Sequence, residues 1–218
     1  MSNDTASRGL RDISSPTPIP APDDSGHEVK EIVERLTQLG TVLFVDGAII
    51  GGDRVTGRSH GGYGNEEVVG LAVAIEISAD LAASANRLLS AGHAYSAAVL
   101  LRQIIEVEYL VWLFANDPAA ARAWLNAGED EMRSTFRPAT IRKKAEGHFS
   151  ADEYHYHCEL GGHPTPHARD LLSNHSRGAD ASWLWDELEC HLARLSQGVE
   201  RALDRMNLGY LLQTTPAS

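Results

Sequence analysis

Apolar positions recur at helical spacing along most of the chain. In HEVKEIVERLTQLG, Val29, Ile32, Val33, Leu36 and Leu39 repeat at intervals of three and four, with Gly40 as a candidate stop. The next segment, TVLFVDGAIIGG, admits two readings. Its apolar runs flank Asp46-Gly47, a dipeptide that suits a type I′ hairpin turn, and they also fit a continuation of the first helix to about Val45. Seven glycines fall between Gly47 and Gly64, which predicts a long loop over 47–64. Its sequence GGDRVTGRSHGGYG lacks the Gly-Lys-Ser/Thr ending of a phosphate-cradling loop.

From Asn65 the helical pattern is nearly continuous. Asn65 is a candidate N-cap ahead of Glu66 and Glu67, and the Ala- and Leu-rich run that follows ends at Gly92. HAYSAAVLLRQIIEVEYLVWLFAN comes next, with apolar residues on nearly every face, which predicts a central, buried helix. Pro118 opens a further helix at its first position. EDEMRSTFRPATIRKKAEG, SADEYHYHCEL and ARDLLSNH follow, and a long final helix is expected from about Ala181 to Leu211. The class expected is all-α: a single-domain helical bundle over 27–218. More than half of the chain should be helical, with no sheet of three or more strands. Residues 1–26 are rich in Ser, Pro, Asp and Thr and predict a disordered arm.

Charge narrows the function classes. The formal net charge is −11 and the chain has only three lysines, which disfavours a general electrostatic grip on nucleic acid. Arginine pairs can still read a phosphate locally. Two cysteines suit a reducing compartment, and no charged segment followed by an apolar one opens the chain, so a cytoplasmic location is expected. The apolar run from Val107 to Ala115, interrupted by Glu108, is too short to cross a bilayer, and no membrane association is expected.

Two stretches carry candidate chemistry. Arg102 and Glu106 sit four residues apart inside the apolar helix, so they share a face and either form a structural ion pair or floor a polar pocket. YHYHCELGGHPTPH, residues 154–167, holds four of the ten histidines. Tyr154, His157, Cys158 and Gly161 fall on one helical stripe, while Gly161-Gly162 stops the helix and His163-Pro164 turns the chain. His163 is therefore expected to project inward toward Arg102 and Glu106 as the catalytic or binding group, with Tyr156, His157 and Arg142 as further binding candidates. His155 and His167 should face water. The stretch offers nitrogen and sulfur ligands, but neither a paired C-x-x-C nor an H-E-x-x-H, so no metal and no other cofactor is expected.

ANRLLSAGHAYSAAVLLRQIIEVEYLVWLF resembles the leading helical hairpin of a group of bacterial all-α proteins known as a domain of unknown function, in which Leu-Leu-Arg precedes a Glu by four residues. FRPATIRKKA and YHYHCELGGHP are similar to that group's later blocks, although Cys158 and Gly-Gly stand where the group commonly has Ser. More distantly the hairpin resembles HEPN domains, which include RNA-cleaving toxins and defence effectors. That resemblance implies an Arg and His pair, with His moving a proton and Arg stabilising phosphorane charge. Arg169 and His175 have the spacing, as do Arg54 and His60, Arg87 and His93, and Arg142 and His148. Three functions follow as expectations: a binding or regulatory module with a polar pocket and no assigned partner; an RNA- or nucleotide-directed HEPN-like nuclease, for which a homodimer is favoured; or a metal-dependent enzyme.

Overall fold

The computed structural model describes residues 25–49, 65–172 and 181–213, and among these there is no strand. The described residues form eight α-helices: α1 Ser25–Ile49, α2 Glu66–Ser90, α3 Ala94–Asn116, α4 Pro118–Leu125, α5 Glu129–Ser134, α6 Pro138–Lys144, α7 Ala151–His157 and α8 Trp183–Arg205. A π turn over Cys158–Gly162 extends α7, and 3-10 turns cover Pro166–Leu171 and Gly209–Gln213. The all-α reading holds. Most of the predicted arm and residues 50–64 of the predicted loop lie outside the described residues.

Helix α1 resolves the ambiguity around Asp46-Gly47 in favour of helix, and takes three residues from the predicted loop. Leu36, Leu39 and Leu43 stay in register on one buried face through Gly40. The glycines serve packing rather than a turn. A Cβ on Gly40 would lie 2.8 Å from Glu76 Cγ, and one on Gly47 would lie 3.0 Å from side-chain atoms of both Val68 and Val69, so both admit the close approach of α2.

Asn65 caps α2 by accepting a hydrogen bond from the Val68 amide at 3.2 Å. The tight turn through Gly92, at φ +80°, folds α3 back against α2. Proline at the first turn starts α4 and α6, and Pro138 divides α5 from α6 where the sequence pattern alone had run on. The final helix is shorter than predicted: α8 ends at Arg205, and Asn207 at φ 60° diverts the chain into the last 3-10 turn.

Four helices make the body. α1 packs on α2, α2 on α3, α3 on α8, and α8 returns to α1, closing the ring. Leu43, Ile75, Ile104, Phe114, Trp185 and Leu195 are representative of its interior. α2 is long and apolar enough to cross a membrane by composition, but most of that window is buried inside the bundle. α6, α7 and the π turn lie across α3, so polar groups on that side of α3 are covered from above and flanked by α8.

Candidate functional site

Arg102 and Glu106 share one face of α3, Glu108 lies on another, and each meets a group from another element. Arg102 Nη2 lies 2.6 Å from Glu106 Oε1, the ion pair expected from their spacing. Tyr154, from α7, donates its hydroxyl to Glu106 at 3.0 Å and accepts from Arg102 at 3.4 Å. Arg142, from α6, places its guanidinium carbon 4.2 Å from the Tyr154 ring centroid. Its Nε and Nη1 are buried without a hydrogen-bond partner. Burial opposes the charge on Arg102, but bonding with Cys158 and Tyr154 and the Glu106 carboxylate together hold it firmly cationic.

Burial, reinforced by Glu106 against the opposing pull of Arg102, pushes the Tyr154 phenol up to about 12; burial also raises Tyr109. An unfolded tyrosine ionises near its ordinary value of 10.0. The folded protein therefore disfavours the phenolate. Its stability is intact below pH 10 and falls as pH rises from 10 toward 12. In an ultraviolet titration, Tyr109 and Tyr154 should ionise above pH 10 and together with loss of helical circular dichroism. Tyr154→Phe should remove one of those late steps. Full ionisation of both near pH 10 with the helical signal intact would contradict this reading.

A second polar group lies on the other side of α7. Glu108 on α3 and His191 on α8, both buried, meet at 2.7 Å between Oε2 and Nδ1. His157, at the end of α7, is also buried, and its Nε2 lies 3.3 Å from Glu187 Oε2. Glu153 bonds Arg194 at 2.7 Å and approaches His191 Nε2 at 3.8 Å. Burial alone would push His191 down. Its bond to Glu108, aided by Glu187 and Glu153, brings it up to about 9. The His157 and His191 rings hold the Glu187 carboxyl well below the usual carboxylate range.

Alongside this group opens a cleft of about 450 Å³ between α3, the turn at 147–150 and α8. Glu146 at φ 47° and Gly147 at φ 89° make that turn tight and bring His148 over Trp112, with ring centroids 5.7 Å apart. Arg194, Gln197 and Arg201 line the opposite wall from successive turns of α8.

Arg102, Glu106 and Arg142 are gathered around Tyr154, with His157 buried on the other side of α7. His163 is not among them: it is exposed, and the bonds of Arg102 and Glu106 go to each other, to Tyr154 and to Cys158. The physical reason is the Gly-Gly pair. A Cβ on Gly161 would sit 2.5 Å from the Ala98 carbonyl oxygen, and one on Gly162 would sit 3.0 Å from Arg102 Nε. The main chain itself fills the space beneath, and His163 leaves it in extended conformation at φ −140°, ψ 152°. Tyr156 is likewise exposed, against Trp183 and the edge of His157. His155 and His167 face solvent, as expected. Arg169 is exposed on a 3-10 turn, and His175, like Arg54 and His60, lies outside the described residues.

Sequence reasoning missed Glu187, His191 and Arg194, and treated Glu108 only as an interruption. A carboxylate inside an apolar run was the available signal for Glu108. Glu187 and His191, four residues apart on the last helix, were a second one. Compared with protein-family models, curated proteins and solved structures, the chain matches none.

Proposed function

We propose that the protein is a binding module for a small organic anion, held in the cleft between α3 and α8. The observation that carries this reading is Arg201. It lines the cleft, and among the described residues it has no ion-pair or hydrogen-bond partner, whereas Arg194 is already committed to Glu153. Trp112, His148 and Phe149 supply an aromatic wall for the uncharged part of a ligand. The cleft volume falls within the range typical of small-molecule sites. Nucleic acid is the poorer occupant, because a polyanion extends past the cleft over a strongly acidic chain, whereas a small anion meets only the groups beside Arg201. We propose a cytoplasmic location with it, as expected from the two cysteines, where small carboxylates and phosphate monoesters are abundant.

Thermal shift and calorimetry against small aromatic carboxylates, phosphate monoesters and matched amines test it. Anions should stabilise the protein and the amines should not. Arg201→Ala, at an exposed position, should weaken the best anion by about tenfold or more, the weight of a hydrogen bond to a charged group. No stabilising anion, or equal binding by the variant, would reject the cleft as the site.

A further inference from the structure

The structure assigns a divalent transition-metal site, of zinc type, to His157, His191 and Glu187. Their ligand atoms lie within 4.8 Å of one another. Glu187 Oε2 is 3.3 Å from His157 Nε2 and 3.7 Å from His191 Nε2. Zinc bonds of about 2.0–2.2 Å in a tetrahedral arrangement set ligand atoms roughly 3.3–3.5 Å apart, so both Glu187 distances already suit an ion, and side-chain rotation of the two imidazoles would close the set.

Hydrogen bonding singles out these nitrogens. Each imidazole is 1% exposed, and among the described residues neither Nε2 has a hydrogen-bond partner. Glu187 stands within ion-pair range of His157 but off the line that a hydrogen bond requires. Protonating His191 Nε2 would not satisfy it, since the nearest carboxylate oxygens are 3.7 and 3.8 Å away. Deprotonated, its lone pair points at other acceptors. A cation bound between them satisfies all three groups at once.

The surroundings match what a metal-binding histidine needs. Glu108 holds His191 by Nδ1, which fixes the ring and leaves Nε2 as the ligand, the carboxylate–imidazole–metal relay. Among the described residues Arg194 is the one guanidinium within ion-pair range of Glu108, Glu153 or Glu187, and a divalent ion offsets the excess negative charge. Glu153 stands between the ion position and the cleft, close enough to serve as a fourth ligand or to orient a bound water. The site does not depend on what the cleft binds. It also reverses the expectation of no metal drawn from residues 154–167, of which only His157 takes part.

The test uses the full chain, stripped with a chelator and titrated with Co²⁺ and with Zn²⁺ against a competing chelator. One ion per chain should bind, with visible Co²⁺ absorption of a tetrahedral or five-coordinate site. His157→Ala and Glu187→Gln should each weaken binding by about a hundredfold or more, and Glu108→Gln by roughly 10–100-fold as an outer partner. Glu187 is partly exposed, so its variant should fold even if the histidine variants do not, as circular dichroism would show. Joint replacement of His155 and His163 should leave binding unchanged. Absence of saturable binding by either ion overturns the assignment. So does binding that survives Glu187→Gln but is lost with His155 and His163.

Discussion

Glu108→Ala should cost the fold about 3–5 kcal/mol, the largest effect expected from a single polar side chain in this protein. The carboxylate is 5% exposed and pairs with a histidine that is 1% exposed, across helices 83 positions apart in sequence. Truncation leaves His191 with an unpaired Nδ1 in the interior, and a cavity beside it. Equilibrium urea unfolding of metal-free protein would read the loss, and the melting temperature should fall by roughly 6–20 °C for a chain of this size. Glu108→Gln keeps an acceptor for Nδ1 and should lose much less. Replacing both partners with leucine should recover much of the loss, because a buried ion pair is costly to break yet contributes little over an apolar pair. A Glu108→Ala variant within about 1 kcal/mol of the parent would show that the pair does not hold α3 to α8.

Local pattern made the helices legible because their signals lie within a few residues. Asn65 ahead of two glutamates, Pro118 and the Gly92 turn each mark a boundary by chemistry that does not depend on the rest of the fold. The pairing of Arg102 with Glu106 was legible for the same reason, being one helical turn long. Gly40 and Gly47 misled because a glycine that admits a neighbouring helix looks, in sequence, like one that ends its own.

The second polar group was out of reach for a different reason. Glu108, His157, Glu187 and His191 come from three helices, and their meeting depends on how α8 and α7 are set against α3. No spacing rule encodes that register. The histidine-rich stretch did contain one member that matters, but it is His157 rather than His163. Helical spacing placed His157 on the inward stripe with Tyr154, and the π turn after it preserves that stripe as far as Gly161. Beyond Gly161 a side chain directed inward would meet the backbone of α3.

That close contact sets the second large effect: Gly161→Ala should destabilise the protein by about 2–3 kcal/mol. An added Cβ would lie 2.5 Å from Ala98 O and 2.6 Å from both Ala98 C and Val99 N, all main-chain atoms of the central helix. Main chain there cannot yield, since Ala98 and Leu101 are buried and α3 is packed between α2 and α8. The π turn must move instead, drawing Cys158 from Arg102 and His157 from Glu187. Gly162→Ala is the informative comparison. Its Cβ would meet Arg102 Cδ and Nε at 3.0 Å, atoms of a long side chain that can shift, so its cost should stay below about 1 kcal/mol. Chemical unfolding of the two variants side by side, with the melting temperature of Gly161→Ala expected to drop by roughly 4–12 °C, separates a backbone collision from a side-chain one. Equal losses, or a neutral Gly161→Ala, would mean that the turn is not pressed against α3 as described, and the exposure of His163 would then need another cause.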